Sequence, residues 1–240
     1  MISIIIPTLN EIFVIERTLQ GLLRSSKYRF EIIVTDGGST DGTIEIAKKY
    51  ADKVVIHNGL KRQTIGEGRN VGAFEAKGKY LIFLDADITI IDIDTFFDTV
   101  LKFISAKPEV TAFTGHLRVL AKHETFSDRI FFSLVNFIHL VQNNFLKNGA
   151  ASGEFQVIRK DMFEKLGGYR TDLPAGEDQE FFRRISKAGK THFHRDLSVY
   201  HTGRRAHKIG WARLLSLWVV NDFYVRFLGR SASKVWEEIR

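Results

Sequence analysis

Two carboxylates close an apolar run in Tyr80-Leu81-Ile82-Phe83-Leu84-Asp85-Ala86-Asp87. A short apolar run bounded by polar residues is the pattern of a strand buried in a parallel sheet. Open α/β sheets bind ligands just past the carboxyl ends of their strands, where Asp85 and Asp87 fall. Hard oxygen ligands at i and i+2 suit Mg2+ or Mn2+, above all when substrate phosphates complete the shell. A lone Asp87 would be explained as well by a turn cap. The pattern recurs, however: Asp36 ends a second apolar run, Phe30–Thr35, and Glu177-Asp178 opens a later helix. Acids at a helix start also offset its dipole, so residue type alone leaves that pair open between structure and chemistry.

The elements that must position these acids follow from the hydrophobic pattern. In the first half, strands Ile2–Pro7, Phe30–Thr35, Val54–His57 and Tyr80–Leu84 alternate with helical spacing over Glu11–Leu23, Thr43–Tyr50 and Glu67–Ala76. Such alternation predicts βαβ units and a mostly parallel sheet with right-handed crossovers. Gly37, Gly38 and Gly42 mark a tight loop, with Asp41 placed to cap the following helix. The second half predicts strands at Val110–Thr114, Phe155–Ile158 and Ser198–His201. Helices are expected over Lys160–Leu166 and from Glu177, with two aromatic helical stretches at Phe126–Leu146 and 211–228.

With 240 residues, 44% hydrophobic and 26% charged, the chain fits one large α/β domain carrying an extension. The absence of cysteine excludes a disulfide framework, a thiolate metal site and a cysteine nucleophile. Met1–Pro7 has neither a basic leader nor a cleavage site, so a cytoplasmic location is expected.

Several stretches together resemble the inverting nucleotide-sugar glycosyltransferases of family 2. That likeness implies a GT-A fold, a Rossmann-like sheet flanked by helices, over residues 1–205, with an amphipathic helical extension at 206–240. Ile5-Ile6-Pro7-Thr8-Leu9-Asn10-Glu11 is similar to the family's first strand and turn, implying that Pro7, Thr8, Asn10 and Glu11 hold the nucleotide. Asp36-Gly37-Gly38-Ser39-Thr40-Asp41 resembles its D-x-x-S-x-D motif, which implies that Asp36 contacts the base. Gly66-Glu67-Gly68-Arg69-Asn70-Val71-Gly72 resembles a helix start whose Arg, here Arg69, lies near the nucleotide.

Asp85-Ala86-Asp87 resembles the D-x-D motif, implying that Asp87 binds the metal while Asp85 orients the ribose or a metal-bound water. Gly167-Gly168-Tyr169 followed by Gly176-Glu177-Asp178 is similar to the acceptor-side motif, which implies Asp178 as catalytic base. Glu177 and the small loop at Gly153 are expected beside it. Tyr200-His201 resembles a late strand whose His ligates the metal in some members, and Arg204 and Arg205 are candidates to meet the diphosphate.

The implied function is metal-dependent transfer of one sugar from a UDP- or GDP-sugar to a saccharide or lipid-linked acceptor. The region 203–211 lacks the Q-x-x-R-W motif of processive relatives, which predicts a single transfer. Gly66-x-Gly68 is no dinucleotide fingerprint, because Val71 stands where the third glycine belongs. Two alternatives stand beside it: a non-catalytic nucleotide-sugar or nucleic-acid binder on the same fold, and a nucleotidyltransferase, a class that also sets metal-bound acids beside a parallel sheet. The latter usually has a Gly-rich, Lys-containing loop where this chain has Thr8-Leu9-Asn10-Glu11.

Charge is uneven. Residues 199–240 hold eight Lys/Arg against three acids, which suggests an anionic partner. Interleaved Trp, Phe and Leu fit a helix lying on an anionic membrane surface, and no base-reading motif points to nucleic acid. Packing on the domain or on a second subunit is the competing expectation for both aromatic helices.

Overall fold

In the first strand, β1 (Ile2–Thr8), Ile4 and Ile6 pack into the core on one side of the sheet and Ile5 into the core on the other. That is the consequence of a two-residue side-chain period in a strand covered on both faces. The computed structural model describes residues 1–233. Helix α1 (Ile12–Leu22) returns the chain to β2 (Glu31–Asp36), and α2 (Thr43–Tyr50) to β3 (Lys53–Ile56). Helix α3 (Ile65–Glu75) then crosses to β4 (Tyr80–Leu84) on the far side of β1. These four strands are parallel in the register Ile5↔Ile33 and Ile5↔Phe83. Pro7 lies beyond the last pair with β4, so its missing N–H removes nothing from that ladder.

The rest of the chain is α4 (Ile93–Ala106), β5 (Val110–Val119), α5 (Phe126–Val141), β6 (Phe155–Arg159), α6 (Lys160–Lys165), α7 (Glu177–Ala188) and β7 (Lys190–His201). It ends with α8 (Arg204–Ile209) and α9 (Trp211–Phe223). The seven-stranded sheet has the order β3-β2-β1-β4-β6-β5-β7, and β6 runs against both its neighbours. Strand order reverses direction between β1 and β4, so the ends of β1, β2 and β4 form a crevice at the switch point.

Several expected boundaries shift. Pro7 does not end β1, which continues to Thr8. Strand β5 extends to Val119 and β7 begins at Lys190, because the two pair in parallel along most of their length. Helix α4 has no counterpart in the expected elements. Asp92 caps it by accepting the Thr95 N–H, and Ile93, Phe96, Phe97 and Val100 bury one face. The aromatic stretch 126–146 is helical but ends in a π-turn, Gln142–Leu146. Asn143 stabilises that turn by donating to the carbonyls of His139 (2.8 Å) and Ala150 (2.6 Å). A second π-turn, Tyr224–Leu228, follows α9.

Helices α8 and α9 are fastened to α5. Asp128, fully buried, accepts from the His207 ring (2.7 Å) and the Trp211 indole N–H (2.9 Å), and Trp211 lies 3.9 Å from the Phe131 ring. The tail charges at Lys234, Glu237, Glu238 and Arg240 lie outside the described residues.

Candidate active site

The loops after β1 and β2 are knitted together by short polar side chains. Asn10 takes a left-handed conformation (φ 54°), which its side chain tolerates. From there its N–H donates to Ser39 Oγ (2.7 Å) and its Oδ1 accepts from the Thr40 N–H (2.9 Å). Asp41 caps two helices, accepting the N–H groups of Thr43 (3.0 Å) and Ile12 (3.1 Å). Asp36 is fully buried. Its oxygens accept from the N–H groups of Gly38 and Ser39 and from the hydroxyls of Ser39 and Thr8. Each of these bonds serves the loop, so a base contact at Asp36 would take the place of one of them.

Arg69 is likewise engaged by the protein itself. Helix α3 starts with a capping box between Thr64 and Glu67 and carries Arg69 into the interior, where it is 2% exposed. Its Nη1 donates to Glu177 Oε1 (2.7 Å), and its Nη2 to Asp85 Oδ1 (3.1 Å) and the Gly153 carbonyl (3.0 Å). The Tyr169 ring lies 5.4 Å below the guanidinium. Arg69 thereby orients Asp85. Glu177, expected at the acceptor side, is its buried counter-ion.

Gly153 joins this cluster to Asp178. The Gly153 N–H donates to Asp178 Oδ2 (2.8 Å) while its carbonyl accepts from Arg69, and Asp178 Oδ1 accepts the Gln179 N–H (2.7 Å). A Cβ on residue 153 would sit 2.4 Å from Arg69 Nη2, so only glycine fits. Beside it, Glu154 escaped sequence reasoning. Burial pushes its carboxyl up to about 8, with Asp85, Asp178 and Asp87 adding to the effect. Burial and the nearby Asp178 push Glu177 up to about 7 against the pull of Arg69. Burial also raises Asp85 and Asp178, each opposed by Arg69.

On the other side of the crevice, Thr89 pairs with Tyr200, drawing the end of β7 against the loop after β4. Thr202 Oγ1 then donates to Asp87 Oδ2 (2.7 Å). Arg204 Nη2 donates to Glu11 Oε1 (2.7 Å), and its Nη1 stands 2.7 Å from Oε2 as a charge contact. Its Nε stands 3.6 Å from Asp87 Oδ2. Burial raises the Glu11 carboxyl, with Arg204 opposing and Asp87 reinforcing the rise.

His201 is held neutral by burial, against the pull of Asp87 and Asp85. Its Nδ1 accepts the Gly203 N–H (3.2 Å), and its Nε2 is buried without a partner. Accepting at Nδ1 assigns the ring hydrogen to Nε2, so ligation through Nε2 requires the other tautomer and the loss of the Gly203 bond. Arg205 lies on the first turn of α8, next to Arg204.

One end of the sheet thus gathers Glu11, Asp85, Asp87, Glu154, Glu177 and Asp178 around the guanidiniums of Arg69 and Arg204. The site is short of positive charge. Among the described residues no three carboxylate or His side chains converge closely enough to hold an ion by themselves.

Comparisons with known proteins agree with this geometry. A glycosyltransferase from Haemophilus influenzae, itself uncharacterized, is 27% identical over 202 residues, 77% of this chain and 62% of that protein. The succinoglycan biosynthesis protein ExoA of Rhizobium meliloti is 30% identical over 203 residues, 78% of this chain and 58% of its own. The chain thus spans about three-fifths of the length of both relatives. Among solved structures, a mannosyltransferase from Pyrobaculum calidifontis, in complex with GDP-Man and Mn2+, superposes with a TM-score of 0.72 at 21% identity. The match covers 100% of this chain and 65% of that one. Staphylococcus aureus TarS in complex with UDP-GlcNAc gives 0.63 at 19% identity, over 83% and 57% of the two chains. Both share the GT-A fold found here. The sequence profile described as Glycosyl transferase family 2 matches residues 3–167, more than half of the chain, and the protein belongs to that family.

Proposed function

We propose that the chain transfers one sugar from a nucleoside-diphosphate sugar, UDP- or GDP-linked, to an acceptor hydroxyl, inverting the anomeric centre in a single displacement. The observation that carries this reading is the charge-starved cluster of carboxylates at the switch point of the sheet. Crowded hard oxygens call for a divalent cation with a polyphosphate to complete its shell. Asp87 and Asp85 fit such an ion, Mg2+ or Mn2+, together with diphosphate oxygens, and His201 is a third candidate through its other tautomer. When bound, the ion neutralises charge developing on the departing diphosphate.

The chain's own residues do the rest. Pro7, Thr8, Asn10 and Glu11 wall the nucleotide side, on a loop that Asp36 stiffens from behind. Arg204 and Arg205 lie where the diphosphate would leave, and supply fixed positive charge. Asp178 takes the proton from the acceptor hydroxyl as general base. Two backbone N–H groups hold its carboxylate, so it presents a defined lone pair. Glu154, whose carboxyl burial raises to about 8, adds little negative charge near the base at neutral pH.

A thermal-shift panel of UDP, GDP and their sugar conjugates, each with Mn2+, Mg2+ or EDTA, tests the donor half. Saturation at about 100 times the dissociation constant should add roughly 2.7 kcal/mol. No shift with any member of the panel would sink the reading.

For the acceptor, we infer presentation at an anionic membrane surface. Phe126, Leu134 and Phe137 of α5 and Val219 and Phe223 of α9 are each more than half exposed on neighbouring helices. Around them Lys122, Arg129, Lys147, Arg213, Arg226 and Arg230 are exposed, while the acids there are engaged: Glu124 by Arg129, Asp128 by His207 and Asp222 by Arg183. Apolar side chains fringed by cations suit an interfacial helix pair. No helix of the described residues is long and apolar enough to cross a membrane. On this reading residues 206–240 act as a docking extension of the catalytic domain, 1–205. Co-sedimentation with anionic vesicles but not with neutral ones is expected. Equal binding to both, or a concentration-dependent dimer that hides the patch, would overturn it.

A further inference from the structure

We propose that Arg204 is the resident counter-cation of the donor site: it occupies the Glu11–Asp87 gap until a divalent ion displaces it from Asp87. This rests on the assignment of Asp87 to the metal.

Glu11 and Asp87 come from the loops after β1 and β4, and both lie close enough to one guanidinium to share its charge. The two contacts are unequal. Glu11 receives a hydrogen bond from Nη2 and a second close contact from Nη1, each at 2.7 Å, whereas Asp87 receives only Nε at 3.6 Å, beyond a hydrogen bond. Asp87 Oδ2 already accepts the Thr202 hydroxyl, so the Arg204 contact is a charge contact that can be exchanged. A cation reaching Asp87 therefore competes with Nε and leaves the hydrogen bond to Glu11 in place.

The movement required is small. Helix α8 is held in place by His207 on Asp128, so only the Arg204 side chain, 29% exposed, has to turn. The turn carries positive charge off the metal ligand and toward the side where a diphosphate would lie.

Competition between two cations for one carboxylate has a signature that neither a structural nor a purely phosphate-binding arginine would produce. In Arg204→Gln, Mn2+ alone should bind about tenfold more tightly, because the competitor is gone. The Mn2+-dependent affinity for UDP or GDP should fall. The measurement is titration of the full chain with Mn2+, reading unbound Mn2+ by electron paramagnetic resonance, with and without nucleotide. Arg205→Gln, which removes a charge from the next position of the same helix, should change binding of Mn2+ alone less than twofold. Circular dichroism confirms that each variant is folded, and Arg204→Lys, which keeps the charge on a single nitrogen, should fall between.

Unchanged or weaker binding of Mn2+ alone in Arg204→Gln, with wild-type Mn2+–nucleotide binding intact, overturns this inference only. An equal gain in Arg205→Gln overturns it too, by reducing the effect to general charge. Failure of the wild type and both variants to bind Mn2+ even with nucleotide overturns the metal assignment as well.

Discussion

Arg69 and Arg204 each bridge two carboxylates at the same end of the sheet, and the comparison shows how differently one motif can be used. Arg69 is 2% exposed and distributes its terminal nitrogens over Glu177, Asp85 and a backbone carbonyl, with an aromatic ring beneath. Arg204 is part exposed, with one tight partner and one loose one. A buried ion pair is costly to assemble and far costlier to break halfway, since the abandoned charge stays out of water. An exposed pair exchanges partners at little cost. The first arrangement fixes geometry, whereas the second leaves charge available.

The sharpest way to break the comparison is to remove each arginine in turn. Arg69→Ala should cost about 3–5 kcal/mol, because Glu177 and Asp85 are left facing each other. Arg204→Ala should cost less, about 1–3 kcal/mol, because its partners lie nearer to solvent. Urea denaturation of both variants measures the contrast, and equal losses would erase it.

Asp178 hangs on the rigid side through Gly153. Asp178→Asn should therefore lower kcat by about 10²–10⁴-fold while leaving Tm unchanged or higher, since a carboxyl raised by burial is replaced by a neutral amide. Near-normal turnover would point to an acceptor that arrives already anionic, such as a lipid phosphate.

The smallest effect concerns pH. The folded-state pKa of Glu154, about 8, lies above the ordinary carboxyl value. Its contribution to stability is thus fully present below the unfolded pKa and is lost as pH rises through about 8. Wild-type Tm should fall between pH 6 and 9 more steeply than that of Glu154→Gln. Solvent screening of the partly exposed side chain limits the difference to about 2–4 °C. Parallel slopes would show that Glu154 is not among the groups short of positive charge.

Much of this site could be read from the chain because its acids punctuate apolar runs. Asp36, Asp85 and Asp87 each follow a buried strand, and a parallel sheet sends such ends to one place. What those acids touch could not be read. Arg69 and Glu177 are 108 residues apart, and Gly153, just before the antiparallel β6, links the same guanidinium to Asp178. Glu154 looks like an ordinary loop glutamate until tertiary burial changes its chemistry. Helix α4 was legible in principle: Asp92 followed by Ile93, Phe96, Phe97 and Val100 is a cap and an apolar stripe. The first half of β7 hid behind its own polar face, because Lys190, His192 and His194 alternate with only two buried residues, Thr191 and Phe193.

The Gly153 peptide has a consequence for anyone recombining this chain with its relatives. The two amide planes that meet at its Cα face opposite partners: the carbonyl of one accepts from Arg69, and the N–H of the other donates to Asp178. A crossover that imports a new 153–178 segment must therefore bring it with a residue-69 arginine that matches it. A graft that splits the two would separate Asp178 from the contacts that orient it, however well each half folds.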